Sequence, residues 1–123
     1  MKKLIFMLAL ILSALSIQAA DINGISNAFK NGNASSISGN MDTEVDIAVP
    51  GTNKKGNGSD AVAALNQFFQ ANKPSGFTVA HHADKKESGF IVGKLATATK
   101  EFRVNVTYTV KDDKVFIQSI RIE

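Results

Sequence analysis

From Gly76 onward the chain is a series of alternating apolar and polar residues, cut into four runs by short polar turns. That pattern leaves little choice of fold. Alternation at period two sends successive side chains to opposite faces of a strand, and runs joined by short turns pair antiparallel. The run 102–110 is the cleanest. Phe102, Val104, Val106, Tyr108 and Val110 fall on one side; Arg103, Asn105, Thr107 and Thr109 fall on the other. Runs 77–83 and 90–98 precede it, separated by Asp84-Lys85-Lys86-Glu87-Ser88-Gly89, and 115–122 follows Lys111-Asp112-Asp113-Lys114. In the last run the apolar parity shifts between Ile117 and Ile120, which predicts a bulge near Gln118-Ser119. A meander with one apolar face needs a cover.

The preceding residues supply it. Asp21 is placed to cap a first helix, in which Ile22, Ile25, Ala28 and Phe29 recur at helical spacing until Asn31-Gly32 ends it. Asn33 opens a further short turn carrying Ile37 and Met41. Residues 44–49 alternate as a short strand, with Val45, Ile47 and Val49 on one face, and Pro50-Gly51 breaks it. Residues 51–59 read as a polar loop. Ser59 then caps a second helix running to about Asn72, with Asp60 at the positive end of its dipole. Its apolar stripe is Ala61, Val62, Leu65, Phe68 and Phe69, and Lys73-Pro74 stops it. The fold class is α+β, with two helices segregated to one face of an antiparallel sheet.

The N-terminus carries a different signal. Lys2 and Lys3 precede an apolar run from Leu4 to Leu15, broken only by Ser13, and Ser16-Ile17-Gln18-Ala19-Ala20 then offers small residues. This is the order of a secretory signal peptide spanning 1–19, with cleavage after Ala19 and Ala20 as the alternate site. A retained membrane anchor is the competing reading, but the run is shorter than a spanning helix requires. Residues 20–123 then form one domain, exported to the periplasm or secreted, without a membrane anchor after cleavage. Losing Lys2 and Lys3 leaves twelve basic against eleven acidic residues, a net charge of +1 instead of +3. With no basic stripe and interleaved aromatics, nucleic acid is not expected as a partner. The absence of cysteine excludes disulfides, thiolate metal sites, cysteine nucleophiles and lipid attachment at an N-terminal cysteine.

Several phrases along the mature chain carry a family resemblance. They are Phe29-Lys30-Asn31-Gly32-Asn33-Ala34, Val45-Asp46-Ile47-Ala48-Val49-Pro50, the stretch 65–69, Asn72-Lys73-Pro74 and Phe77 with His81. Ile91-Val92-Gly93-Lys94-Leu95, Phe102-Arg103-Val104 and residues 117–123 complete the series. In that order they resemble a family of small secreted bacterial domains of unknown function with a nuclear-transport-factor-2-like (cystatin-like) fold. The resemblance implies a curved sheet wrapped around helices as a cone, often dimeric, and it supplies no catalytic residues. It departs at Gly51 to Gly58, which lacks an aromatic residue near the second helix.

The loop Gly51-Thr52-Asn53-Lys54-Lys55-Gly56-Asn57-Gly58 nearly matches a phosphate loop. Asn57 stands where the lysine belongs, however, and Gly58 where the hydroxyl belongs. Nucleotide hydrolysis falls. A weak anion site at Lys54, Lys55, Gly56 and Gly58 stands beside the plain reading of a flexible connector. His81 shares a face with Phe77 and Val79 and is expected inside the cone, as a general base or as a buried imidazole. His82 is expected on the opposite face, so the two histidines cannot chelate one metal together. Tyr108 is the other cavity candidate, and Asp46 is expected to face solvent. Phe90 and Val92 fall on the outer face of their strand and suggest a partner patch.

These readings converge on an exported, non-catalytic domain that binds a small molecule or a protein partner, without metal or cofactor and able to form a homodimer through its sheet. The alternative is a small cofactor-free isomerase or dehydratase using His81 and Tyr108. A third class is a purely structural dimerisation module. The discriminator is space: if Phe68, Phe69, Phe77, Phe102 and Phe116 fill the cone, no substrate fits.

Overall fold

The computed structural model describes residues 22–85 and 87–123. The expected signal segment, its cleavage site and the Asp21 cap lie outside those residues. Helix α1 spans 22–31, and a 3-10 segment, Ala34–Asn40, leads into β1, Met41–Val49. Then come β2 (Thr52–Gly56), α2 (Gly58–Ala71), β3 (Pro74–Asp84), β4 (Ser88–Thr97), β5 (Glu101–Lys111) and β6 (Lys114–Ile122). The six strands form one sheet in the order β2-β1-β6-β5-β4-β3. The meander β3 to β6 is antiparallel throughout. Strand β1 runs parallel to β6, so the sheet is mixed. The three helical segments cover one face, giving the expected α+β architecture.

The helices form and stop where their residues dictate. Gly32 takes φ 65 after α1, a left-handed conformation that glycine adopts without a Cβ penalty. Phe29 of α1 is fully buried; its ring stacks on Phe77 at 5.2 Å and meets Phe69 edge-on at 5.7 Å. Phe68 of α2 meets Phe102 of β5 edge-on at 5.1 Å. Rings at these separations and angles use their quadrupoles favourably on top of the area they bury.

Two expectations about the segment before α2 are corrected. Residues 52–56 form an edge strand, because Gly51 at φ 87 reverses the chain and brings Thr52 opposite Val49. Hairpin register supplied what the polar side chains did not announce. The cap of α2 is Asn57 rather than Ser59: its Oδ1 accepts the Asp60 N–H at 2.9 Å, and the helix begins at Gly58. Lysines on β2 also keep that open edge from pairing with other strands.

The strand faces follow the alternation in β4, β5 and β6. Ile91, Leu95, Val104, Val106, Ile117 and Ile120 are essentially sealed from solvent beneath the helices. The bulge in β6 falls at Gln118: Thr107 pairs with Ser119 and Tyr108 with Ile117. A second bulge, at Ala80 in β3, was not anticipated. Val79 pairs with Gly93, but His81 pairs with Val92. Such extra residues bend a strand and increase its twist, which curls the sheet around the helices.

The β5–β6 hairpin turns on Asp112 and Asp113, at φ 52 and 61. Two positive φ values in a two-residue loop are the geometry that favours glycine at the second position. Asp113→Gly is expected to stabilise the fold by roughly 0.5 kcal/mol, relief of left-handed strain outweighing added chain entropy. The midpoint of urea unfolding measures this; a lower midpoint contradicts it.

Candidate functional site

The Ala80 bulge decides where the histidines point. Past the bulge, β3 reverses its faces. His81 stands on the outer face, exposed, with its ring 5.6 Å from that of Phe90. Its expected place inside the cone is therefore corrected. His82 takes the inner parity instead, opposite Ile91, although its side chain remains half exposed at the sheet edge.

His82 belongs to a small polar cluster near the β3 edge of the sheet. Its Nδ1 lies 3.4 Å from one carboxylate oxygen of Asp84. The other oxygen of Asp84 accepts a hydrogen bond from the Tyr108 hydroxyl. Tyr108 is buried on the inner face, as the alternation in β5 indicates. Gly89, directly across on β4, makes room for its phenol. Burial first, then the hydrogen bond and negative charge of Asp84, push the Tyr108 phenol above its ordinary ionisation range. Sequence reasoning read Asp84 and Gly89 as turn residues. Only the strand register could have placed them beside Tyr108.

Tyr108 is the chain's single tyrosine, so its titration can be followed by ultraviolet absorbance without interference. The phenol is expected to stay neutral in the folded protein at about pH 10, where free tyrosine is half ionised. Because the folded state holds this proton more tightly, its stabilising contribution is fully present below about pH 10. It is lost as pH rises toward the folded-state value. Asp84→Asn is expected to move the absorbance midpoint back toward that of free tyrosine. A wild-type midpoint near pH 10 in the native protein contradicts this.

Among the described residues, no substrate space opens around this cluster. The crevice bordered by Ile22, Asp84, Lys85, Tyr108, Val110 and Val115 does not admit a water molecule. Phe68, Phe69 and Phe102 are buried on the inner face, and Phe77 is half-buried against them. Phe116 does not join them, since it stands opposite Thr109 on the outer face, with Lys114 Nζ 5.5 Å from its ring centre.

The residues of the expected anion site do not converge. Lys54 and Lys55 alternate on the exposed edge strand, and Lys55 pairs with Glu44 at 3.5 Å. The Asp60 carboxylate occupies the space beside Gly56, and Gly58 packs against Met41. An incoming anion would meet Asp60 first. Asp46 faces solvent, opposite Lys55.

The outer face of the sheet is more open to a partner. Phe90 and Val92 are half-buried there, with Ala80 and His81 exposed beside them. A groove of about 430 Å³ runs past Ala80, Val92, Lys94, Glu101, Arg103 and Glu123.

Known proteins match this architecture. The sequence profile of a domain of unknown function, DUF4783, matches residues 22–123. A DUF4783 family protein from Bacteroides ovatus is 36% identical, with a TM-score of 0.75 over 80% of this chain and 90% of that one. A DUF4783 family protein from Bacteroides uniformis is 32% identical, with a TM-score of 0.77 over 82% of this chain and 94% of that one. An NTF2-like protein of unknown function from Cytophaga hutchinsonii shares only the fold. It is 7% identical, with a TM-score of 0.60 over 86% of this chain and 88% of its own. A search of curated proteins finds no match. Family profile, relatives and geometry agree: the chain belongs to the DUF4783 family, a domain of unknown function built on an NTF2-like fold.

Proposed function

We propose that this domain is an exported, non-catalytic binding module that holds a protein partner on the outer face of its sheet. One contrast carries the reading: the crevice beside Tyr108 does not admit a water molecule, while Phe90 and Val92 remain partly open on the outer face beside Ala80 and His81. Apolar side chains grouped on an otherwise polar sheet face mark interaction surfaces. The isomerase-type reading needs His81 and Tyr108 to converge, but they stand on opposite faces of the sheet, and a reaction at Tyr108 needs a volume that the crevice lacks.

The test is site-specific crosslinking in the native cell. A photo-reactive residue at position 90 is expected to capture a discrete partner, identified by mass spectrometry. The same residue at position 70, exposed on α2, is expected not to capture it. Equal capture from both positions, or none from position 90, overturns the reading.

A further inference from the structure

The helical layer carries little charge. Residues 31–41, from the end of α1 through the 3-10 segment, and residues 61–72 of α2 include no charged side chain, in a chain that is 20% charged. The solvent side of α2 is Ala63, Gln67, Gln70 and Ala71, all exposed. Exposed helix faces normally carry charged residues, and depletion of charge is a compositional mark of the centre of a binding surface.

A groove runs between the two uncharged stretches. Two depressions, of about 760 and 410 Å³, meet at Asn66. The Asn66 Oδ1 accepts the Ala34 N–H at 3.0 Å and its Nδ2 donates to Ser35 Oγ at 3.3 Å, which holds α2 against the 3-10 segment. The buried side of the groove is apolar at Met41 and Phe69, while Thr43, Ser59 and Gln70 bring exposed hydroxyl and amide groups. From Ser59 to Gln70 the helix rises about 17 Å, the reach of about five extended residues. Charges stand at the two ends: Asp42 borders the first depression and Lys73 the second. The Thr43 N–H bonds Asp42 Oδ1 at 2.7 Å and holds the carboxyl below its usual range. Gln118 Nε2 lies 3.5 Å from the other oxygen, and Lys111 acts on it from beyond ion-pair distance. Neither Asp42 nor Lys73 forms an ion pair among the described residues. The start of α2 adds no attraction for an anion, since Asn57 caps it and Asp60 stands in its first turn.

We propose that this groove binds a short linear peptide with free ends, its ammonium at Asp42, its backbone along α2 and its carboxylate at Lys73. A free peptide carries one positive and one negative charge separated by its own length, and the two ends of the groove complement that arrangement. The peptide groups between them need uncharged hydrogen-bond partners, which Thr43, Ser59 and Gln70 offer. The α2 dipole opposes this orientation with about half a charge at each end, less than the full charges of Asp42 and Lys73. A neutral oligosaccharide would use the hydroxyl and amide groups but leave both terminal charges without a partner. The groove lies on the helical side of the sheet, apart from the outer face, so it goes beyond the docking surface proposed above.

The probe is a pentapeptide of alternating alanine and serine with free ends, titrated into the isotopically labelled domain and followed by backbone amide shifts. Shifts are expected at residues 42–43, 59, 63, 66, 70 and 73. The same peptide acetylated and amidated is expected to bind about tenfold more weakly, the worth of two exposed ion pairs. A dipeptide with free ends is too short to span the groove and is expected to bind no better than the capped pentapeptide. Asp42→Asn with Lys73→Gln is expected to weaken the free peptide about tenfold and to leave the capped one unchanged. The asparagine keeps an Oδ1 acceptor for the Thr43 N–H, so the double variant is expected to melt within about 3 °C of the wild type.

Absent shifts, shifts elsewhere, or equal binding of the free and capped peptides overturn the proposal. So does undiminished binding by the double variant, or a glucose oligosaccharide that moves the same amides as strongly. Self-association of the wild type through these residues makes the occupant a second copy and also overturns it. Position-90 crosslinking reads the outer face independently. Capture there is expected to be unchanged in the double variant, so failure of one site leaves the other standing.

Discussion

Phe29→Ala is expected to cost about 3–5 kcal/mol of folding stability, the range for deleting a buried aromatic ring. Phe29 is fully buried and touches both the Phe69 ring of α2 and the Phe77 ring of β3. Its removal opens a cavity where helix, helix and sheet meet, and three elements cannot all collapse into it at once. Domains of this size hold only about 5–15 kcal/mol in total, so the variant is expected to unfold at much lower urea. Phe29→Leu is expected to recover a large part of the loss by refilling the volume. If the alanine variant loses less than about 1 kcal/mol, α1 does not pin the sheet in solution as it does here.

Gly89→Ala is expected to cost about 1–3 kcal/mol, although it adds a single methyl group. The new Cβ would overlap the Tyr108 phenol and lie 2.7 Å from the Ala83 carbonyl oxygen. A side chain can swing away. A backbone carbonyl paired across β3 and β4 cannot do so without distorting the ladder. Tyr108 has to leave its place, and with it the hydrogen bond to Asp84. Two readouts must therefore move together: the urea midpoint falls, and the tyrosine absorbance titration returns toward the value of free tyrosine. Lost stability with an unmoved titration contradicts this, because the phenol would then have kept its site beside the new methyl group.

The alternation in β4, β5 and β6 declared its faces in the sequence because these strands are long, one-sided and joined by short turns. The bulge at Gln118 was legible for the same reason, since Ile117 and Ile120 cannot both point inward on an unbroken strand. Strand β3 concealed its bulge. Ala80 is small and tolerated on either face, so Phe77, Val79 and His81 read as continuous alternation when the register had already slipped. That single residue exchanges the two histidines between faces. The Tyr108–Asp84 bond joins positions 24 residues apart, and local periodicity carries no register of that kind. Strand β2 was hidden because Asn53, Lys54, Lys55 and Gly56 are poor strand formers, held by a hairpin and not by their own preference.

The placement of β6 shapes how the domain comes together. It is the latest strand in sequence, yet it lies inside the sheet between β1 and β5. The β1–β2 hairpin and the β3–β4–β5 portion of the meander therefore have no shared seam until β6 arrives. Its pairing with β1, Ile47 against Ile120, closes a loop across most of the domain, and contacts so distant in sequence form late and slowly. Until then an apolar strand edge stays open on each half. The domain behaves as two halves waiting for a keystone, and its vulnerable period is the interval before the keystone is set.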